Sequence, residues 1–238
     1  MTNYECGDSL FKSEASSPVI GGKLKRFWRQ PLFNKLHDLS NLYYKLKGIL
    51  FYRWLFEKFG AGSYIRKPIL ILGSNFIRIG KNVGIRDGVR LEVIPSVSRS
   101  PRLVIEDDTN IEQNVHIVCH SSVHIGRKVS ITGNCSIVDV THPFTDVSSP
   151  VKIGSRIEDE DSFVEIGEGA FIGMGAVILP NVRIGKHAVI GANSVVNSDV
   201  PDYSVAAGAP AIVLKQYDFK KEAWVRVSSN TNSRIVNS

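Results

Sequence analysis

Asp139 and His142, three residues apart in "DVTHP", are the side chains of this sequence best suited to moving a proton. An imidazole titrates near neutrality, so one presented on a loop can accept a proton from a bound group and return it. A carboxylate close by can orient the ring and stabilise its cationic form. Equally, it can cap backbone N–H groups of the loop; the sequence leaves both uses of Asp139 open. A second group of polar side chains lies just upstream in "EQNVHIVCHSSVHIG": Asn114, His116, His120 and His124. The three cysteines, Cys6, Cys119 and Cys135, lack the spacing of a metal site and the setting of a nucleophile. Their odd number argues for reduced structural thiols.

The element that must position these residues is a repeat. Aliphatic side chains recur at every sixth position: Ile79, Ile85 and Leu91; Ile105, Ile111 and Ile117; Ile125, Ile131 and Ile137; then Ile166, Ile172, Ile178, Ile184, Ile190 and Val196. An amphipathic α-helix would need a period of about 3.6. A hexapeptide period is the signature of a parallel β-helix. Each unit gives one short strand, three units close one triangular coil, and each aliphatic stacks on its equivalent one coil later. Glycine often follows the aliphatic, as "IG", where the backbone must turn a tight corner. A single coil cannot bury its own face, so the stack is cooperative and its ends need caps. Two stretches break the period: "EVIPSVSRSPR", residues 92–102, and the run from His142 to about Phe163. On a rigid solenoid an insertion is where a site can be built, because loops carry chemistry while the scaffold holds position. His124 lies eighteen residues before His142, one full coil, so the two are expected to stack.

The chain has 238 residues, 43% hydrophobic and 22% charged, enough for one large domain with a helical appendage. Residues 1–18 are small, polar and aperiodic, which predicts disorder. Residues 19–62 form a basic helical segment, with Pro31 in a first turn and Gly60 as its C-cap. Leu32, Leu36, Leu39, Tyr43, Leu46 and Leu50 make one apolar stripe along it. Residues 19–67 hold eleven Lys and Arg against Asp38 and Glu57, a local charge of +9 that leaves −3 on the rest of a chain of net charge +6. Either the stripe packs on the main domain, or residues 19–60 rest on an anionic membrane surface. The polar start "MTNYECGDSL" is unlike a secretory signal. The most apolar run, "GILFYRWLF", is too short to span a bilayer and contains Arg53. The expectation is a cytoplasmic protein, with contact to the inner membrane face through residues 19–60. No nucleic-acid motif is present. The β-helix is expected over residues 63–215, and a short C-terminal helix or tail over 216–238.

The repeat, the "VTHPF" loop and the ending "IGKHAVIGANSVVNSDVPDYSVAAGAPAIVLK", in that order, resemble the left-handed β-helix (hexapeptide-repeat) acyltransferases. The galactoside, maltose and polysaccharide O-acetyltransferases are the branch most alike, and the resemblance covers residues 77–215. The basic, aromatic N-terminal segment resembles that of acetyltransferases of capsule and lipopolysaccharide biosynthesis. The resemblance implies an all-β core, coiled as a left-handed parallel β-helix. It implies a homotrimer with active sites at subunit interfaces, acetyl-CoA as co-substrate in the groove between subunits, no metal, and a carbohydrate acceptor.

The implied reaction is direct acetyl transfer to a sugar hydroxyl in a ternary complex. A base takes the hydroxyl proton, a donor holds the oxyanion, and the substrates are held together. By resemblance His142 is the general base, and Asp139 matches the acidic position of the family's DxxH form. Asn114, His116 and His120 fall where acceptor contacts are expected. Met174, Ala192, Asn197, Ser198 and Gly208 match the acetyl-CoA groove, and Lys215 a cation for the nucleotide phosphates. Two positions depart from the family. Asn197-Ser198 stand where Thr-Lys is common, and Ile212 where Arg or Lys is common. Arg183 and Lys186 are then left to supply charge, and aromatic residues near 217–219 to stack on adenine. Two further activities occur on this fold. One is N-acetylation of a nucleotide-linked amino sugar. The other is the zinc chemistry of γ-type carbonic anhydrases, for which His116, His120, His124 and His142 supply candidate ligands. The "AAGAP" ending favours an acyl donor, and the basic helical segment favours a glycan or lipid-linked acceptor.

Overall fold

The computed structural model describes residues 31–95, 100–158 and 160–227. The expected disorder over 1–18, the start of the basic segment, Cys6 and the last residues from 228 on lie outside the described residues. The chain divides into two units, Met1–Ser40 and Asn41–Ser238.

Strands of two to five residues run round a triangle, and each pairs in parallel with its equivalent one coil on. Face one stacks Lys58–Phe59, Ile77–Ile79, Arg102–Ile105, Ser122–Ile125, Phe163–Ile166 and Val182–Ile184. Face two stacks Tyr64–Ile65, Gly84–Ile85, Asn110–Ile111, Ser130–Ile131, Phe171–Ile172, Val189–Ile190 and Ser204–Gly208. Face three stacks Leu70–Leu72, Arg90–Val93, His116–Cys119, Ser136–Val138, Val177–Ile178 and Val195–Val196. The six-residue period is the length of one side of this triangle. Ile79, Ile105, Ile125, Ile166 and Ile184 sit in register through face one, and none is more than 2% exposed. Burial of each such side chain is worth about 1.5–3 kcal/mol, so the aliphatic ladder holds the coils together. At the corners the coils nearly touch. A Cβ on Gly173 would lie 2.6 Å from the Ala192 amide nitrogen, so only glycine fits there.

The helix Leu32–Lys47 runs into a π-turn, Gly48–Tyr52, and a last α-turn, Arg53–Leu55. The helical segment therefore ends at Leu55, not at a Gly60 cap. Phe56 is already extended, and the Gly60 N–H donates to the Ile79 carbonyl at 2.9 Å. Residues 58–59 belong to face one because that ladder claims their backbone groups. The packing face also differs from the expected stripe. Tyr43, Leu46 and Leu50 stay exposed, while Tyr44 and Tyr52 are buried. The mismatch is present ahead of the π-turn, which adds one residue to the register beyond Lys47. Tyr52 and Phe56 then meet each other and Phe59 at ring-centroid distances of 5.5–5.6 Å, over the first coil.

The far end corrects the expected C-terminal helix or tail. Ala211–Asp218 folds back antiparallel on Ser204–Gly208, and Ala223–Arg226 adds outside it. Alternation explains this: Ala211 and Val213 are buried under the last coil, while Ile212 and Leu214 face outward. The hairpin covers the open sheet edge that the solenoid would otherwise expose.

Candidate active site

Both breaks in the repeat leave the solenoid at the same corner, between faces three and one. One joins Val93 to Arg102 and the other joins Val138 to Phe163. In the coil between them the chain turns that corner with His120 and Ser121 alone. The three levels are tied together. The Ile94 N–H donates to the Cys119 carbonyl at 2.8 Å, and the His120 ring Nδ1 lies 3.2 Å from the Ile94 carbonyl. One coil on, Asp139 Oδ1 accepts from the His120 N–H at 2.6 Å, and Oδ2 accepts from the Ser121 and Ser122 N–H groups at 2.8 and 2.7 Å. The carboxylate is 1% exposed.

Two expectations are corrected here. Asp139 does not touch the His142 ring; of its two possible uses, backbone capping is the one made. His120 is not displayed toward an acceptor; its ring is buried, 5% exposed, between the roots of the two insertions.

The His142 ring is held by the loop it opens. Its Nδ1 lies 2.7 Å from the Arg156 carbonyl oxygen. A carbonyl only accepts, so Nδ1 carries a proton, and in the neutral ring Nε2 then carries the lone pair. The loop closes on itself through the Glu158 N–H to the Thr141 carbonyl at 3.1 Å, and through Ser162 Oγ to the Asp139 carbonyl at 2.6 Å. His124 does not stack on His142. The chain leaves the solenoid after Val138, before it returns to face one, so the coil neighbours of His124 are Val104 and Glu165. Its Nε2 pairs with Glu106 at 3.1 Å.

Face three separates this corner from a second one. The register that aligns Ile131, Ile172, Ile190 and Ala206 puts Gly133, Met174, Ala192 and Gly208 in one column, two residues further on. The column is small apart from Met174, which is half exposed. That suits a flexible arm lying against backbone. Asn114 belongs to this corner too. It is left-handed, with φ of 58°, and its Nδ2 donates to Asn134 Oδ1 at 3.2 Å, so it serves the turn. His116 lies on face three, in register with Arg90 and Ser136. Burial first, then the Arg90 charge, holds its imidazole below the usual value and so favours the neutral ring.

The remaining expected donor contacts are dispersed. Asn197 and Ser198 follow face three at the loop corner, while Lys215 is on the outer hairpin, paired with Val205 and Arg226. Arg183 is exposed and makes a surface ion pair. It bonds Glu165 at 3.0 Å and lies over the Phe163 ring, in a cleft of about 530 Å³ that Lys186 also lines. Of the aromatics near 217–219, Tyr217 and Phe219 meet edge to face at 5.0 Å, which joins the hairpin strands to Tyr203 and Trp224. Burial pushes the Cys119 and Cys135 thiols up, which keeps both protonated. Among the described residues no three His, Cys, Asp or Glu converge on a metal position. The four histidines have four different surroundings.

One element of the site escaped the sequence reading. Arg156 is a lone arginine in a polar loop, and nothing in its spacing marks it.

The bacterial transferase hexapeptide family (six repeats) matches residues 163–198. WbbJ of Escherichia coli K12, ascribed to O-acetyl transfer in lipopolysaccharide biosynthesis, is 32% identical over 67% of this chain and 82% of its own length. The galactoside O-acetyltransferase of Lactococcus lactis is 32% identical over 70% of this chain and 67% of its own. The N-acyltransferase AntD of Bacillus cereus, solved with dTDP and 3-hydroxybutyryl-CoA, superposes with a TM-score of 0.58 at 20% identity, covering 71% of this chain and 87% of that one. At that identity the likeness speaks for the fold. The chain belongs to the hexapeptide-repeat acetyltransferases, and it is an acyltransferase.

Proposed function

We propose that this chain transfers an acetyl group from acetyl-CoA to a sugar hydroxyl in surface-polysaccharide biosynthesis, as a left-handed β-helix assembled into homotrimers. The observation that carries the proposal is the His142 ring, held through Nδ1 by the Arg156 carbonyl. Nε2 is then the basic nitrogen, at the mouth of a loop beside face three. It takes the acceptor hydroxyl proton as the oxygen bonds to the acetyl carbon, and returns that proton to sulfur as the carbon–sulfur bond breaks. The column of Ala192 and Gly208, with Met174 beside them, would hold acetyl-CoA on the opposite edge of the same face. Facing edges of neighbouring subunits would then complete one site.

The names of the relatives WbbJ and galactoside O-acetyltransferase favour an oxygen acceptor. The test is free-thiol release from acetyl-CoA against a panel of galactosides, maltose and amino sugars, with products located by NMR. O-acetyl esters are expected. Products acetylated only on nitrogen, or thiol release no faster than hydrolysis, would overturn the reading.

The enzyme is proposed to be peripheral to a membrane, acting on a glycan or lipid-linked acceptor. Leu46, Leu50, Phe51, Trp54 and Leu55 are exposed beside Lys45 and Arg53. An apolar, aromatic surface set among cations suits the interface of an anionic bilayer. No described helix is long and apolar enough to cross a membrane. Sedimentation with vesicles containing phosphatidylglycerol is expected at low salt, with loss of binding in a Leu50→Glu, Trp54→Glu variant. Absence of sedimentation by the wild-type chain would sink the idea. So would a variant that changes oligomeric mass and still binds vesicles, because the patch would then be a subunit contact.

A further inference from the structure

We infer that Arg156 is the positioning residue for the His142 imidazole. The loop that His142 opens has little apolar interior. Phe144, Val147, Val151 and Ile153 are all exposed, Val147 at 95%. Its shape comes instead from one guanidinium. Arg156 Nε donates to the Val151 carbonyl at 2.8 Å, Nη1 to the Asp146 carbonyl at 2.8 Å and more distantly to Pro143 at 3.5 Å, and Nη2 to the Ser149 carbonyl at 3.2 Å. The fan of donors thus gathers four carbonyls of residues 143–151 around the side chain. The backbone of the same residue supplies the carbonyl that receives the His142 Nδ1 proton.

The two halves of Arg156 therefore act together. The side chain folds the loop back to the point where the main chain meets the ring. Only arginine offers five N–H donors in a planar fork, and it stays charged at any working pH. Lysine presents three donors from one point and cannot span carbonyls on several sides of a loop.

The consequence falls on the tautomer. With the Arg156 carbonyl in place, the ring is Nδ1–H and Nε2 is a base. With the carbonyl displaced, the ring relaxes toward the Nε2–H form that free imidazole side chains prefer, and that form cannot accept a proton at Nε2. This inference rests on the reading of His142 as general base for its effect on rate, but not for its effect on the ring.

The experiment is ¹⁵N NMR of histidine-labelled protein alongside steady-state kinetics, for the wild type, Arg156→Ala and Arg156→Lys. In Arg156→Ala, the His142 signals are expected to move from the Nδ1–H pattern toward Nε2–H. The value of kcat should fall about 10²-fold, a size known for small misplacements of a catalytic group, while KM for acetyl-CoA is unchanged. Added guanidinium ion should restore part of both the rate and the Nδ1–H signal, which repair of a merely unfolded loop would not do. Arg156→Lys, the milder change if the alanine variant fails to fold, should show the same tautomer shift. An unchanged Nδ1–H pattern in either folded variant would overturn the inference. A shifted tautomer, in a protein whose His142→Asn variant still turns over normally, would uphold Arg156 as the ring's anchor and refute the base.

Discussion

If His142 is the proposed base, replacing it with Asn is expected to lower kcat for acetyl transfer by about 10³-fold, within the range that a positioned general base contributes, with oligomeric mass unchanged. Asparagine is the informative substitution. Its Nδ2 can take the place of the imidazole Nδ1–H and still donate to the Arg156 carbonyl, now bonded at 2.7 Å. The loop keeps its anchor and loses only the basic nitrogen. The ring is exposed, so the loss of stability is held to about one ordinary hydrogen bond, on the order of 1 kcal/mol. Affinity for CoA, measured by calorimetry, should not move, because the Met174, Ala192 and Gly208 column lies on the other edge of face three. Turnover within tenfold of wild type would remove His142 from the reaction. Lost CoA binding would mean that the loop, rather than the base, had been damaged.

The scaffold was legible in the sequence because its period is its geometry. Ile166, Ile172, Ile178, Ile184, Ile190 and Val196 take faces one, two, three and then one, two, three again, all buried. The departure of the loop near His142 was legible for the same reason, as a failure of that period. Contacts set by the stack rather than by the chain were not legible. His124 was expected to stack on His142 by counting along the chain. Coils count only the residues that stay in the solenoid, so its partner is Glu165. Of the two uses expected for the N-terminal stripe, packing on the coil is not made: Tyr43 and Leu46 are exposed already ahead of the π-turn at Gly48–Tyr52, and Tyr44 and Tyr52 are buried instead. Gly48 itself reports the close approach there: a Cβ would lie 2.8 Å from the Phe59 ring. The C-terminal strands show the reverse case. Their alternation was present in "AIVLKQYD", and the exposed sheet edge of the last coil decides in favour of a strand.

Asp139 shows how the stack decides between two chemistries that look alike on paper, and its substitution is expected to have the largest effect on stability. A carboxylate that orients imidazole and one that caps backbone occupy the same place in "DVTH". Here the three donors belong to His120, Ser121 and Ser122, one coil below. Removing the side chain leaves three N–H groups without their acceptor, one on buried His120, one on half-buried Ser121 and one on exposed Ser122. A buried one costs about 1–3 kcal/mol when left unpaired, and water reaches the Ser122 N–H and in part that of Ser121, so Asp139→Ala should cost roughly 2–4 kcal/mol in total, or ~10 °C in Tm for a domain of this size. Asp139→Asn should cost nearly as much. The amide oxygen can turn to the Ser121 and Ser122 N–H groups, but the amide then points its own donors at the buried His120 N–H. An acid that served only the imidazole would behave the other way, with Tm unchanged and kcat reduced in the asparagine variant. Thermal melts and kinetics on the two variants separate the cases, and an Asp139→Asn protein as stable as wild type would refute the cap. The cap also reaches the chemistry indirectly. The Asp139 carbonyl accepts from Ser162 Oγ at 2.6 Å, where the loop returns to face one. The same residue thus fixes the corner beneath the loop and the point where the loop closes. Activity assayed well below the melting temperature should therefore fall in Asp139→Ala as well, in step with loss of the Nδ1–H signal of His142.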